Sequence, residues 1–254
     1  MKKRKILFSI IAAILMFGTV SAKGENPFGS GKTSEEGLQF LGPDNLAGRS
    51  RVVLVDKTAE NGSVLYTGGV AGGLFKSENG GKSWSPIPCV IEGKEENLPI
   101  SCMIQLADGS LLIGTGEGLA VSDLDAMGLI IPKGKGIYRY VPGSGEFTKY
   151  ETAAKYVNEM LVAGDYLYIA TNEGLFRSEL AAPATNTSLF EGKVQDLDLA
   201  GDVVYFTSGA NVYKIAATAA SSSDVVVVPT IHSENATRVE LAVCLLYTSP
   251  SPRD

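Results

Sequence analysis

The amino-acid sequence predicts an all-β fold: a partial β-propeller of four four-stranded antiparallel blades plus the start of a fifth, truncated at the C-terminal end. The first observation is an internal repeat, in which Gly72–Ser77 is echoed by Gly136–Tyr140, Gly174–Ser178 and Asn211–Ile215. Aligned on their aliphatic residue, these segments are 63, 38 and 37 residues apart. A period of about 40 residues with several short strands per unit is typical of propellers and related arrays. The second observation is that no amphipathic helical segment separates the strand patterns, which excludes an α/β fold.

The first two units each show four short apolar patterns bounded by turn residues, which is the signature of strands. In the first unit, about residues 51–88, strands are expected at 51–56, 64–67, 74–77 and 83–87. In the second unit, about residues 100–151, they are expected at 100–106, 111–115, 137–140 and 147–150. Tyr138, Tyr140, Phe147 and Tyr150 alternate along these last two strands, and we expect them to form blade core rather than a sugar-stacking surface.

The third and fourth units follow the same plan at the shorter spacing. In the third, about residues 156–192, strands are expected at 157–162, 166–171 and 175–178. In the fourth, about 193–229, they are expected at 194–199, 203–207, 212–215 and 225–228, and a fifth unit begins at 237–243. The first and second strands are joined by tight turns at Asp108-Gly109, Gly164-Asp165 and Gly201-Asp202, which supply the left-handed conformation that such hairpins need.

The two ends of the chain do not belong to the repeats. Residues 1–22 combine a basic start, an apolar run from Ile6 to Val20 and a small-residue cleavage pattern, which together predict a signal peptide. Residues 23–37 are polar and Gly-rich and are expected to form a flexible leader before a propeller fragment at 38–243. The expected location of the mature protein is therefore the periplasm, the cell envelope or the outside of the cell, with no membrane insertion after signal cleavage.

Residues 244–254 lack the periodicity of the repeats and resemble the in-frame translation of a sequencing adaptor. The alternative is an ordinary tail rich in Pro and Ser. If the adaptor interpretation holds, the natural chain continues beyond Val243 and this sequence is a fragment.

Charge and composition narrow the expected partners. The formal net charge is −6, whereas a nucleic-acid-binding surface calls for a basic stripe, so nucleic acid is not an expected partner. No cofactor motif is present, and no His or further Cys stands near Cys89 and Cys102 with ligand spacing, so no metal site is expected. In an exported chain, Cys89 and Cys102 could form a disulfide, and two buried free thiols are the open alternative.

Two long connections suggest where a partner would bind. They are an insertion at about Leu119–Lys135 and a link at Pro88–Pro99. In a four-stranded blade both connections emerge on one face, and long loops on a rigid scaffold commonly carry binding residues. The expected binding rim is acidic and is formed by Glu92, Glu95, Glu96, Asp123 and Asp125. Such a rim suits a basic protein surface or a neutral glycan and disfavours anionic polymers.

One motif carries a family resemblance. Ser77, Asn79, Gly81, Ser83 and Trp84 resemble the Asp-box, with Asn79 standing for the usual Asp and Ser83 for the usual Thr. The sequence is similar to secreted Asp-box β-propellers of Bacteroidota-like bacteria, within a superfamily that includes sialidases, xyloglucan-hydrolysing glycosidases and sortilin-type receptors. The resemblance implies that these five residues form a structural turn and that the indole packs between blades.

The catalytic residues of those relatives are not matched. Sialidases need an arginine triad, and here Arg139 and Arg177 share the repeat position of Lys76 and Lys214, which predicts solvated strand positions. The glycosidases place an Asp just before a Gly-Gly pair, where this chain has Val70-Ala71. We therefore expect a binding or scaffold module for protein or glycan, with no catalytic residue assigned. The alternative is a polysaccharide-processing glycoside hydrolase whose catalytic carboxylates lie partly in missing blades.

Overall fold

The structure is a computed structural model that describes residues 49–116, 118, 133–150, 154, 156–229 and 236–243. The chain divides into two units, residues 1–40 and 41–254, and every described residue belongs to the second. The expected signal peptide, leader and C-terminal tail, together with most of the insertion, lie outside the described residues.

The first half of the described chain forms two four-stranded antiparallel sheets with a small hairpin between them. The first sheet contains β1 (Ser50–Val55), β2 (Leu65–Gly69), β3 (Gly73–Ser77) and β4 (Ser85–Ile87). The hairpin consists of β5 (Val90–Ile91) and β6 (Lys94–Glu95). The second sheet contains β7 (Ile100–Gln105), β8 (Leu111–Thr115), β9 (Ile137–Val141) and β10 (Glu146–Tyr150).

The second half forms two more sheets with the same order of strands. The third sheet contains β11 (Val157–Ala163), β12 (Tyr166–Thr171), β13 (Gly174–Glu179) and β14 (Ala182–Glu191). The fourth contains β15 (Asp196–Ala200), β16 (Val203–Ser208), β17 (Asn211–Ala216) and β18 (Val226–Val228). The helical residues of the described chain are two short 3₁₀ turns, Glu60–Gly62 and Ser222–Asp224. The predicted fold class is confirmed: the protein is all-β, with four four-stranded sheets arranged as an open, partial propeller.

Two strand assignments differ from the sequence prediction. β14 is a fourth strand in the third sheet that the sequence did not indicate, because residues such as Pro183 and Asn186 are depleted in strands. The segment expected to begin a fifth blade, residues 237–243, is not assigned to a strand and has no backbone ladder to the fourth sheet. It is attached to β15 through side chains instead.

Apolar cores lie between successive sheets. Tyr66 and Leu74 of the first sheet meet Met103, Ile113 and Tyr138 of the second, and similar clusters fill the next two interfaces. The aromatic residues that the sequence assigned to the core are all buried. They are Tyr138, Tyr140, Phe147 and Tyr150. That prediction is confirmed, and these side chains are not available to stack on a sugar.

Glycines in the second strands allow the first strand of the next sheet to approach closely. A Cβ atom on Gly68 would lie 2.3 Å from Cγ2 of Ile100. A Cβ atom on Gly114 would lie 2.5 Å from Sγ of Cys102 and 2.8 Å from Cγ1 of Val157. Real Cβ atoms do not tolerate such separations, so these positions require glycine for packing rather than for backbone conformation.

A repeated polar contact joins the inner strands. Ser101 Oγ donates to the carbonyl of Val157 at 2.5 Å, and Asn158 Nδ2 donates to the carbonyl of Val194 at 2.6 Å. Gln195 Nε2 donates in the same way to the carbonyl of Thr237 at 3.1 Å. Each donor follows the first apolar residue of its unit, so the contacts form one ladder from sheet to sheet. The position of Thr237 in this ladder places residues 237–243 where the first strand of a fifth blade would start.

Candidate binding site

A groove lies on the face of the propeller that carries the connections between second and third strands and the links between sheets. We call this the insertion face. The groove encloses about 520 Å³. Its lining residues are Gly72, Gly73, Leu74, Pro86, Ile87, Pro88, Cys89, Glu95, Glu96 and Asn97. One wall is therefore the β2–β3 turn, and the other is the end of the β5–β6 hairpin.

Backbone geometry and one side-chain bond hold the two walls together. Asn97 Nδ2 donates to the carbonyl of Ala71 at 2.6 Å, which ties the link to the β2–β3 turn. Gly73 has φ +75, a conformation that strongly favours glycine. The β5–β6 hairpin is closed by a hydrogen bond from the Glu96 amide to the Cys89 carbonyl at 2.8 Å. The groove is thus fixed in shape by main-chain structure rather than by long side chains.

The acidic residues expected on the rim divide into two groups. Glu95 and Glu96 line the groove, and Glu92 lies in the hairpin turn with φ 49. Glu96 forms an ion pair with Lys135, the last residue of the expected insertion, and this hydrogen bond raises the pKa of the Lys135 ammonium. The end of the insertion and the link therefore meet. Asp123 and Asp125 lie outside the described residues.

Cys89 and Cys102 do not form a disulfide in the structure; both are free and buried. Cys89 packs in the core between the first and second sheets, whereas Cys102 packs in the core between the second and third. A β-bulge between Ile100 and Cys102 directs Cys102 to the far side of the second sheet. Burial raises the pKa of the Cys89 thiol to about 11 and also raises the pKa of the Cys102 thiol, so both thiols are protonated at neutral pH.

The turn that resembles the Asp-box lies between β3 and β4, at the opposite end of the first sheet from the groove. Ser77 Oγ accepts from the Gly81 amide at 2.8 Å, and Asn79 Oδ1 accepts from Ser77 Oγ and from the Ser83 amide at 3.0 and 2.9 Å. Trp84 is buried and its Nε1 donates to the Gly81 carbonyl at 3.0 Å. The indole clusters with Leu65 and Phe75 of its own sheet. None of these residues lines the groove.

A second group of charged residues, which sequence reasoning missed, lies along the inner strands. Burial raises the pKa of Glu159 in β11 to about 7, and the nearby charges of Asp196 and Glu240 add to the shift. Burial also raises the pKa of Asp196 in β15. The repeat itself was the signal in the sequence. Glu159 and Asp196 occupy the position that Val52 and Cys102 take in the first two units, so acidic residues replace apolar ones there.

The expectation of solvated arginines is wrong for Arg177. Its side chain is buried, its guanidinium carbon lies 4.2 Å from the centre of the Tyr166 ring, and it donates to the carbonyl of Ala219. Arg139, at the same position of the second unit, remains partly exposed and pairs with Asp108. The difference arises because the turn after β17 lies against the third sheet here: the carbonyl of Ala219 accepts from Arg177, and that of Ala217 accepts from the Tyr168 hydroxyl.

The described residues contain no group of three or more His, Cys, Asp or Glu side chains arranged to hold a metal ion. They also contain no helix with the length and apolar character needed to cross a bilayer.

No protein-family model and no curated protein sequence matches this chain. Among solved structures, it is similar to the extracellular domain of a one-component system from B. thetaiotaomicron, with TM-score 0.49, 16% identity and coverage of 70% of this chain and 23% of that one. The nidogen/laminin complex gives TM-score 0.48 and 11% identity over 65% and 58% of the two chains. YCF48 bound to D1 peptide gives TM-score 0.44 and 13% identity over 67% and 51%. The chain thus spans at most 58% of the length of these three proteins.

Proposed function

We propose that this protein is an exported binding module that holds an extended segment of a partner protein on its insertion face. The observation that carries the proposal is the groove between the β2–β3 turn and the β5–β6 hairpin, of about 520 Å³. Ligand sites are commonly concave and preformed, and here the Gly72-Gly73 wall lets a partner backbone approach without side-chain obstruction.

The lining favours a peptide over a sugar. Glycan sites commonly present an aromatic platform, and no Phe, Tyr or Trp is among the lining residues. Pro86 and Pro88 instead offer apolar surface of the kind that packs against an extended backbone. Glu95 is exposed at the rim, and its carboxylate favours a partner with a Lys or Arg side chain at that point.

The enzymatic alternative has weaker support from the groove. Glycoside hydrolysis needs two carboxylates on opposite sides of the scissile bond. The carboxylates of the groove, Glu95 and Glu96, are neighbours on one wall, and Glu96 is already paired with Lys135. Hydrolysis would therefore need a further carboxylate on the opposite wall of the groove, whereas a binding role needs none.

The test compares binding of short synthetic peptides that carry a central Lys, Gln or Glu, measured by fluorescence anisotropy. We expect the Lys series to bind most tightly and Glu95→Lys to reverse the preference. The matched control is Glu146→Lys, which makes the same charge change at an exposed position of β10. An unchanged preference in Glu95→Lys, or binding to a neutral glycan array in place of every peptide, would refute the proposal.

A variant that fills the groove distinguishes peptide binding within the groove from attraction by the overall charge of the protein. Gly72→Tyr should block the groove without disturbing the fold, because a Cβ atom there meets only the Phe75 ring at an ordinary 3.5 Å. Gly143→Tyr is the matched control, since a Cβ atom on Gly143 meets nothing within 4 Å. Peptide binding should be lost in the first variant and kept in the second.

A further inference from the structure

One face of the first sheet is apolar and exposed along β1. Val52 and Leu54 of β1 pack in the core that the first sheet shares with the second. Because successive side chains of a strand point to opposite faces, Val53 and Val55 lie on the other side of the sheet. These two side chains are 61% and 52% exposed, so water contacts most of their apolar surface.

A cluster of buried side chains continues this surface across the sheet. Leu65 of β2 lies opposite Val55, and Phe75 of β3 lies in the same row as Val53. Leu65, Phe75 and Trp84 contact one another in a cluster that is separate from the cores between the sheets. We call the surface formed by these five residues the open face.

The corresponding face is covered in each of the other three sheets. Met103, Met160 and Leu197 take the repeat position of Val53, and they are only 5%, 3% and 7% exposed. Each of them packs against the sheet that precedes its own in the chain. No sheet precedes the first one in the described chain, so the open face has the apolar composition of an interface without its partner.

The fourth sheet is poorly suited to cover the open face of another copy. On the side of that sheet away from the third, Asp196 and Asp198 stand at the repeat positions of apolar residues such as Leu54. Both carboxylates also accept amides of residues 236–243, so this side is acidic and already engaged. The open face of a second copy instead offers apolar side chains that can be buried without desolvating a carboxylate.

Charges at the two ends of β1 favour one orientation of two such faces. Arg49 precedes β1 and Glu60 follows it in a 3₁₀ turn, and both are exposed. This turn borders the open face, since a Cβ atom on Gly62 would lie 3.6 Å from Cγ1 of Val55. When two open faces meet with their β1 strands antiparallel, Arg49 of each copy approaches Glu60 of the other. A parallel arrangement would bring like charges together.

We propose that the open face is the interface of a two-fold dimer, in which the first sheets of two copies of this chain pack face to face with antiparallel β1 strands. A two-fold interface uses the same patch on both copies, so the patch must complement itself in shape and charge. An apolar sheet with a basic residue at one end and an acidic residue at the other meets that requirement. Sheets pack in this way, about 10 Å apart, in β-sandwiches. Dimerisation buries Val53 and Val55 of both copies.

The experiment is sedimentation velocity of the full chain over a series of concentrations. The parent protein should associate to a dimer as its concentration rises. Val53→Lys places a charge in the interface twice per dimer, so we expect the dissociation constant to rise at least about 100-fold. Val227→Lys is the matched control, because Val227 is 59% exposed but belongs to β18 of the fourth sheet. Its dimerisation should equal that of the parent protein.

A charge reversal tests the orientation of the two copies. Arg49→Glu and Glu60→Arg should each weaken the dimer by roughly threefold to tenfold at low salt, because each places like charges opposite one another. The double variant restores both pairs with the charges exchanged, so its dissociation constant should return towards the parent value. A double variant as weak as the two single changes combined would overturn the antiparallel dimer.

Urea denaturation of each variant shows whether the monomer remains folded. If Val53→Lys unfolds, Val55→Lys and the charge reversal decide instead. A parent protein that stays monomeric at every concentration would overturn the proposal, since the open face would then be covered by other residues of this chain or by a different protein. Loss of the dimer in Val226→Lys, on the acidic side of the fourth sheet, would assign the contact to that sheet and also overturn it.

Discussion

Replacing Asn79 by Asp should stabilise the protein, although the wild-type side chain is already fully engaged. Asn79 Oδ1 accepts from Ser77 Oγ and the Ser83 amide, and Nδ2 donates to Ser83 Oγ at 2.8 Å. An Asp would keep both accepted bonds and make them charge-assisted, and the Ser83 hydroxyl can turn to donate to the second carboxylate oxygen. All three contacts of the turn therefore survive the change.

The magnitude follows from the bonds that change. A hydrogen bond to a charged group contributes roughly 1 kcal/mol more than a neutral one when buried, and the exposure of Asn79 reduces this gain to about 0.5–1 kcal/mol in total. Asn79→Ala removes all three bonds and should cost about 1–3 kcal/mol. For a domain of this size, each kcal/mol corresponds to a change in Tm of about 2–4 °C.

The assay is urea denaturation at pH 7 and near pH 3, with Asn61→Asp as the matched control. Asn61 is also exposed and precedes a glycine, but the structure shows no side-chain hydrogen bond for it within the described residues. The gain in Asn79→Asp should disappear at low pH, because a carboxylate that accepts hydrogen bonds has a lowered pKa and its contribution is lost once it is protonated. Destabilisation at pH 7, or a gain equal to that of Asn61→Asp, would show that Asn79 does not organise the turn as described.

Substitutions at three further positions, Trp84, Glu159 and Gly114, test the packing and electrostatics of the fold. Trp84→Ala should lower the free energy of unfolding by about 3–5 kcal/mol in chemical denaturation, whereas Trp84→Phe should retain most of the stability, and a small effect of the alanine variant would contradict the buried indole. Glu159→Gln should stabilise the protein at pH 8 by on the order of 3 kcal/mol and hardly at all below pH 4.5, because the raised pKa makes ionisation costly only in the folded state. Gly114→Ala should cost about 1–3 kcal/mol by overpacking, and a Gly114→Ala, Cys102→Ala double variant should recover part of that loss; simple additivity of the two changes would argue against the contact.

The tertiary contacts show why only part of the site could be anticipated. Glu95 and Glu96 stood out as acids in a long link, and the repeat placed that link on the insertion face. The link that carries these acids contacts the β2–β3 turn through the hydrogen bond from Asn97 to Ala71, two residues that are 26 positions apart. No local sequence pattern predicts a bond over that separation. The burial of Glu159 was not predicted, because a single acidic residue in a strand ordinarily faces solvent.

The sequence by itself determined the class of fold. Alternating apolar residues, Gly-Asp turns and a recurring unit are local properties, and they were sufficient to predict four antiparallel sheets and the buried aromatic residues of the second. Only the tertiary structure decided which side of each sheet a residue faces. The bulge in β7 changes the alternation at Cys102, which packs between the second and third sheets, whereas Cys89 packs between the first and second. The burial of Arg177 and the raised pKa of Glu159 likewise depend on neighbouring sheets, because desolvation is set by what packs against a side chain and not by the residues beside it in the chain.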